Sequence, residues 1–268
     1  MTYRVQSVER AIDILAALSD GPHNLTEITA LTRLSKGTAF RLLASLSYRN
    51  LVVKDPSNNV YTLGPGALHL LQGVMSGLGA FASVGRPALS RLWEQTGETV
   101  TLHARLMHER VCIDEIPSPQ ALRYTYTIGS VAPLSVGAAG KVLLAAIDDP
   151  AERARVLQSL QLARLTDNSI VDRDALVREV EKTRRTGWAT SAGERVIGAA
   201  AVSVPVSGWG TVVSLSVLGP AARMSRKVLM KMLPDVQLAA REIEAALTEA
   251  ATERRPQSRS VARVSRAS

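Results

Sequence analysis

The chain has 268 residues, 46% of them apolar and 21% charged, with a net charge of +8 and one cysteine. That length accommodates two ordinary domains, the composition is that of a globular protein, and a lone Cys112 excludes an internal disulfide framework and fits a reducing cytoplasm. The N-terminus MTYRVQSVER has no apolar core, and the most lipid-like run, Ala67 to Val84, is broken by His69, Gln72 and several glycines; neither a signal peptide nor a membrane span is expected.

Val5 to Leu18 reads as a first helix, with Ser7 as N-cap, Glu9 in the first turn and Val8, Ile12, Leu15 and Leu18 as the buried face. Gly21-Pro22 ends it. Leu25, Ile28 and Leu31 then recur at helical spacing, and after a polar break a second run opens at Ser35, whose side-chain oxygen suits an N-cap. Within that run Ala39, Leu42, Leu43 and Leu46 share one face; Lys36, Thr38, Phe40, Arg41 and Ser45 lie opposite. Leu51 to Lys54 and Val60 to Leu63, separated by Asp55-Pro56-Ser57-Asn58-Asn59, read as a β-hairpin.

Helix, helix-turn-helix and hairpin make residues 1–64 a winged helix-turn-helix. Its outer face offers cations and small hydrogen-bonding groups to a DNA groove about as wide as a helix. The candidate DNA contacts are Ser7, Ser35, Lys36, Thr38, Phe40 and Arg41, with Lys54, Asn58 and Asn59 on the wing. The alternative is a small helical domain without a DNA partner. Residues 1–64 carry 7 Lys/Arg against 5 Asp/Glu, residues 65–251 carry 20 against 18, and the tail from Thr252 carries 5 against 1. The first domain is only mildly basic, so its affinity depends on placed contacts and dimerisation more than on a broad field.

Gly64-Pro65-Gly66 marks the domain boundary. A linker helix is expected over 65–80, weakening near Gly77 to Gly79, and a further helix runs from Phe81 through Pro87 to Gln95. From Glu98 the period becomes two: Thr99 to Leu106, Arg110 to Ile116 and Ala121 to Ile128 are candidate strands, with Pro117-Ser118-Pro119 as a turn. Gly137 to Lys141 then leads into a helix from Val142 to Ile147. Another helix lies near Pro150 to Leu160, and a charged amphipathic one spans Asp172 to Thr186 around Leu176, Val177 and Val180. Trp188 to Ser191, Gly198 to Val206 and Thr211 to Leu218 read as strands, stopped by Gly219-Pro220. Met224 to Ala250 is helical, with Pro234 expected to start a new helix. Residues 81–251 are therefore a mixed α+β domain, and 252–268 a Ser/Arg-rich tail read as disordered.

Catalytic signatures fail. Gly137-Ala138-Ala139-Gly140-Lys141 has Ser135 and Val142 where a phosphate-binding loop needs Gly and Ser/Thr. No GxSxG occurs, and His23, His69, His103 and His108 with one Cys give no metal-ligand spacing. No catalytic residue, metal or cofactor is expected. His103 reads as a partly buried structural residue, and Cys112 as a buried small hydrophobe. What remains is a DNA reader joined to a domain whose Gly/Ala/Ser-rich turns let a small ligand approach the backbone. The alternatives are a non-catalytic ligand-binding scaffold and a small-molecule enzyme with an N-terminal interaction domain.

Val5-Gln6-Ser7-Val8-Glu9-Arg10-Ala11, Leu34 to Leu43 and Tyr61-Thr62-Leu63-Gly64 resemble the opening, recognition helix and wing of the IclR-type bacterial transcriptional regulators. Gly129 to Leu134, Ala139-Gly140-Lys141, Gly187-Trp188-Ala189 with Glu194, and Leu215 to Pro220 extend the resemblance over nearly the whole chain. It implies a winged helix-turn-helix plus a GAF-like mixed α/β effector-binding and oligomerisation domain. It further implies a cytoplasmic homodimer or dimer of dimers on double-stranded operator DNA, more often a repressor, answering a small carboxylic or aromatic effector. The implied pocket falls on Leu134, Gly137, Ala138, Ala139, Ser191, Ala199, Ala201, Ser214 and Ser216.

Three positions depart from the family pattern. Ser191 stands where many members have an acidic residue, Ala201 where they have Cys or Ser, and Gly37 where Ser is frequent. With the acidic cluster reduced to Glu194 and three successive alanines at 199–201, the pocket is expected to be less polar and its ligand small and partly apolar.

Overall fold

The computed structural model describes residues 5–68, 70 and 78–253, and the chain divides into two compact units, Met1–Ser76 and Gly77–Ser268. Residues 65–68 of the expected linker helix are helical; most of the remainder lies outside the described residues. So does the basic tail from 254 on, whereas Thr252 and Glu253 belong to the last helix.

The first unit comprises α1 (Gln6–Ser19), β1 (His23–Asn24), α2 (Leu25–Thr32), α3 (Lys36–Tyr48), β2 (Val52–Asp55) and β3 (Val60–Leu63). Asn24 is its hinge point. The Asn24 side chain accepts from the backbone N–H of Thr26 and Glu27, while the Glu27 carboxylate accepts from the Asn24 N–H. This capping box satisfies orphan donors at the start of α2. The same residue pairs with Val60, so the hairpin gains a third strand in the order β1-β3-β2, one that the sequence reading omits. Arg33, in the left-handed region at φ 54°, ends α2, and Ser35 starts α3 by accepting from the Thr38 N–H.

Ile14, Leu18, Ile28, Leu43, Leu46, Val52 and Tyr61 form the core of this unit, with Ala11, Leu15, Leu25, Leu34 and Leu42 packed around it. The expected inner face of α1 is corrected here. Val8 and Ile12 are 54% and 57% exposed, and Leu31 of α2 is 59% exposed. Helix α1 carries apolar residues on two sides, and the side holding Ile14 and Leu18 is the one that meets α2 and α3.

The second unit comprises α4 (Leu78–Thr96), β4 (Thr99–Leu106), β5 (Glu109–Ile116), β6 (Val131–Pro133), α5 (Gly137–Ala145), α6 (Pro150–Ser159), α7 (Arg173–Thr186), β7 (Ala189–Ala192), β8 (Ala199–Gly208), β9 (Thr211–Pro220) and α8 (Arg226–Glu253). Its six strands form one antiparallel sheet in the order β6-β5-β4-β9-β8-β7. One face is aliphatic: Val100, Leu102, Val202, Val204, Val206, Val213, Leu215 and Val217 pack against Phe81, Leu89 and Leu92 of α4 and Leu229, Val236, Ile243 and Leu247 of α8. The other face carries Thr101, His103, Ser203, Ser214 and Ser216, and it too is buried. Helix α5 packs on that side through Ala138 and Val142 against Ala189 and Ala201. Behind it, Leu143, Leu144, Leu157, Leu176 and Val180 bind α5, α6 and α7 into an outer layer.

Four expectations are corrected. Residues 121–128 are not a strand. Their backbone partners are side chains: Thr99 Oγ1 donates to the Tyr124 carbonyl and the Tyr126 N–H donates to Glu115. The edge beside Cys112 is taken by Gly129 and Ser130, leading into β6. The Gly137 to Lys141 run is the first turn of α5 rather than a loop before it. Gly219 and Pro220 continue β9 opposite Ala200 and Ala199. Pro234 lies inside an uninterrupted α8, where the buried stripe from Leu229 to Leu247 outweighs the hydrogen bond a proline removes.

Gly140 lies where α5 crosses the preceding loop, and a Cβ there would run into the Leu134 carbonyl. Gly140→Ala should therefore destabilise the second unit by about 1–3 kcal/mol in a urea melt, because backbone has to move. This is the reverse of the helix-propensity gain of about 1 kcal/mol that Ala normally brings. Gly37 in α3 has open space around its Cβ position, so Gly37→Ala should leave stability unchanged or raise it by about 0.5 kcal/mol. Equal effects at the two positions would contradict this account.

Candidate DNA-reading face and effector cavity

Burial of Ala39, Leu43 and Leu46 turns the opposite side of α3 outward. Lys36, Gly37, Phe40, Arg41, Ala44 and Tyr48 are exposed along it, one continuous stripe at helical spacing. Phe40 is 57% and Tyr48 86% exposed, an unusual price-free display of aromatic surface only where something else covers it. Tyr48 is absent from the sequence prediction although it stands seven residues after Arg41, on the same side. Thr38 is half-buried and tied to the cap: its Oγ1 accepts from the Ser35 hydroxyl. Ser35 and Thr38 therefore shape the start of the helix. Ser7 lies exposed inside α1 without capping it, since α1 begins after Val5.

On the wing, Lys54 is exposed and its ammonium lies 5.7 Å from the Tyr61 ring centroid. Asn58 and Asn59 build the turn. Asn58 Oδ1 accepts from the Val60 N–H, and Asn59 adopts the left-handed region at φ 57°, which Asn tolerates better than most residues. Asp55 accepts from the N–H and the hydroxyl of Ser57, and these bonds hold its carboxyl below the usual range.

In the second unit a cavity of about 70 Å³ lies between the polar face of the sheet, the start of α5 and two loops. Its lining includes Thr101 and His103 of β4, Arg110 of β5, Gly137, Ala138 and Ala139 of α5, and Ser191, Ala199, Ala201, Ser203 and Ser216 of the later strands. Tyr124, Thr125 and Tyr126 close one side, and Glu194, Arg195 and Val196 another. The loops are bonded to each other: the Tyr124 hydroxyl donates to the Ile197 carbonyl at 2.8 Å, and the Arg195 guanidinium stacks 4.2 Å from the Tyr126 ring centroid. Tyr126 also meets His103 edge-to-face at 4.7 Å.

Glu194 anchors the arrangement. One oxygen accepts from Lys141 at 2.5 Å and the other from the Gly137 N–H at 2.9 Å, so the start of α5 already holds a carboxylate. Burial, together with Arg110 and Arg195, pushes the His103 pKa well below the ordinary value; the ring is neutral. Burial and the neighbouring Glu115 and Asp114 push the Cys112 thiol up to about 12, which makes it inert as a nucleophile.

The structure brings together seven of the nine expected pocket residues: Gly137, Ala138, Ala139, Ser191, Ala199, Ala201 and Ser216 all line the cavity. Leu134 does not. It is fully buried in the layer of α5, α6 and α7. Ser214 is buried beside the cavity, paired in register with His103. The alanines form one wall, as their sizes suggest, and Thr101, His103, Arg110, Ser203 and Arg195 add polar groups from outside the expected positions. The sequence signal for the first two is the alternation Thr99-Val100-Thr101-Leu102-His103, which places them on one side of the strand. Arg110 carried no such signal. Among the described residues, no cluster of three or more His, Cys, Asp or Glu could hold a metal, and no helix is long and apolar enough to cross a membrane.

Comparison with known proteins matches residues 7–56 to the IclR helix-turn-helix domain and residues 78–245 to the C-terminal domain of the bacterial transcriptional regulator IclR. The HTH-type transcriptional repressor AllR of Klebsiella pneumoniae is 32% identical over 247 residues, covering 90% of each chain. A transcriptional regulator structure from Rhodococcus sp. RHA1 superposes with a TM-score of 0.74 at 25% identity, over 92% of this chain and all of the other. An IclR homologue from Microbacterium hydrocarbonoxydans, solved with 4-hydroxybenzoate, has the same fold at TM-score 0.74 and 21% identity, over 91% and 99% of the two chains. The two matched domains carry the helix-turn-helix and the α+β cavity domain described above, and the chain belongs to the IclR family of DNA-binding, non-enzymatic transcriptional regulators.

Proposed function

We propose that this regulator is a cytoplasmic repressor whose hold on its operator is set by a small organic acid bound in the cavity of the second unit. The observation that carries the reading is the cavity itself: a recess lined in part by buried polar groups that lack partners within the protein. Such groups are costly to leave unsatisfied, so the site is built for an occupant. The repressor name of the Klebsiella relative and the 4-hydroxybenzoate held by the Microbacterium homologue support the sign of regulation and the ligand class. A ligand that binds two conformations unequally shifts the balance between them, and with it DNA affinity.

The operator reading rests on Lys36, Phe40, Arg41 and Tyr48 of α3, with Lys54 on the wing. A single recognition helix reads few bases, and pairing two doubles the site. Val5, Val8 and Ile12, 60%, 54% and 57% exposed, form an apolar stripe on α1 that supports dimerisation of the DNA-binding unit, and a dimer of dimers would extend it.

Four measurements check this reading. Binding to the promoter region upstream of its own gene, followed by fluorescence anisotropy across a salt series, should be saturable in excess competitor DNA, with a slope that counts the phosphates contacted. Added 4-hydroxybenzoate or a related acid should lower that affinity; indifference of the operator complex to every acid tried would sink effector control. Arg41→Ala should weaken specific binding by about 1–3 kcal/mol if its guanidinium reads a base edge; an unchanged affinity removes it from the reading set. Sedimentation velocity should show a particle of at least about twice the 28.7 kDa chain mass, and a monomer at DNA-binding concentrations would refute the paired-reader model.

A further inference from the structure

The cavity divides its charges unequally. Glu194 is already committed to Lys141 and to the Gly137 N–H, which leaves Arg110 and Arg195 facing the space without a free carboxylate opposite them. Arg195 is stacked on Tyr126 at the rim. Arg110 is different. It is 1% exposed, the largest fully buried side chain among the described residues, and no carboxylate of a described residue is within ion-pair distance of it. A buried cation without a counter-ion is strongly disfavoured unless something supplies the charge.

Its hydrogen bonds show where that charge belongs. The Nη1 end donates to the carbonyls of Pro133 at 2.6 Å and Val136 at 2.8 Å. This fixes the plane of the guanidinium and leaves the Nε–Nη2 edge of a cavity-lining residue without a strong partner. On that edge Nη2 has only a long contact with the Tyr126 hydroxyl, at 3.5 Å, and Nε has no partner. Gly137 adjoins that edge: a Cβ at that position would stand in contact with Nη2, at 3.4 Å. Two parallel N–H groups on one edge are the fork that a carboxylate grips with both oxygens.

Two other places where an acid could bind are taken. Glu194 occupies the first amide of α5, and the Ser216 hydroxyl is bonded to Ser203 at 2.7 Å. Beyond Arg110, Thr101 Oγ1 and both ring nitrogens of His103 have no partner, and these side chains are 0% and 2% exposed. A neutral imidazole presents one donor and one acceptor, a match for a hydroxyl group.

We propose that Arg110 reads the charge of the effector: a carboxylate sits on its Nε–Nη2 edge, and a small hydroxylated body extends over the sheet toward Thr101 and His103. The assignment rests on the effector reading above and sharpens it, since it places acid recognition on β5, outside all nine pocket positions expected from the family resemblance.

Isothermal titration of the full-length protein tests it with two matched pairs of probes, 4-hydroxybenzoate against 4-hydroxybenzamide and lactate against lactamide. At least one acid should bind about tenfold or more tighter than its amide. Arg110→Gln should lose that preference, by weakening the acid about tenfold while holding the amide within about twofold. Arg110→Lys, which keeps the charge without the fork, should fall between the two. Should Arg110→Gln fail to fold by circular dichroism, the wild-type pairs and Arg110→Lys still decide. Equal affinity for acid and amide in the wild type, an acid preference that survives in either variant undiminished, or no binding of any probe overturns the assignment. Acid binding that depends on Arg110 but leaves operator affinity untouched supports Arg110 and refutes effector control instead.

Discussion

The buried pair of Lys141 and Glu194 is the interaction on which the second unit's architecture turns. Their side chains are 3% and 9% exposed, so the attraction acts in a low-dielectric surrounding where either charge alone would be untenable. Lys141 also donates to the Thr190 carbonyl of β7, and Glu194 also accepts from the first amide of α5. One ion pair thereby ties a helix start, an edge strand and the loop after that strand to a common point. Thr166 and Ser169 brace the same loop from outside, through bonds from their hydroxyls to the carbonyls of Gly193 and Glu194. Loss of one partner would strand the other charge, at about 3–5 kcal/mol, and would loosen the side of the cavity that those elements build.

This arrangement explains the distribution of polarity inside the unit. The aliphatic face of the sheet is covered by α4 and α8. The polar face is covered by α5, which begins with small residues, Gly137, Ala138 and Ala139. Large side chains there would fill the gap; small ones leave it. The loops of 121–128 and 193–198 border this space and bond to each other across it.

The DNA-binding unit follows a different economy. Its helix boundaries are set locally: Asn24 with Glu27 opens α2, Arg33 closes it, and Ser35 opens α3. With the starts of α2 and α3 pinned by side chains close in sequence, a small core around Ile14, Ile28 and Leu43 orients α3. The outward stripe of Lys36, Phe40, Arg41 and Tyr48 is then a geometric consequence of which face is buried.

Local signals were therefore readable from the sequence alone. The cap at Ser35, the turn at Asp55 to Asn59, the two-residue period of β4 and the 3.6-residue period of α3 each depend on neighbours in the chain, and each appears where its residues imply. Neither choice between faces was local. Helix α1 offers two apolar sides, and only α2 and α3 decide that Ile14 is inside and Ile12 outside. The segment 121–128 has the composition of a strand, yet Thr99 and Glu115 take its backbone bonds. The alternation of β4 determines that Thr101 and His103 share a face; that this face is sealed under α5 rather than wetted is a matter of long-range packing. Arg110 shows the same division most plainly, since its charge is written in the sequence while its burial without a counter-ion arises only when β5, the loop after β6 and the start of α5 meet.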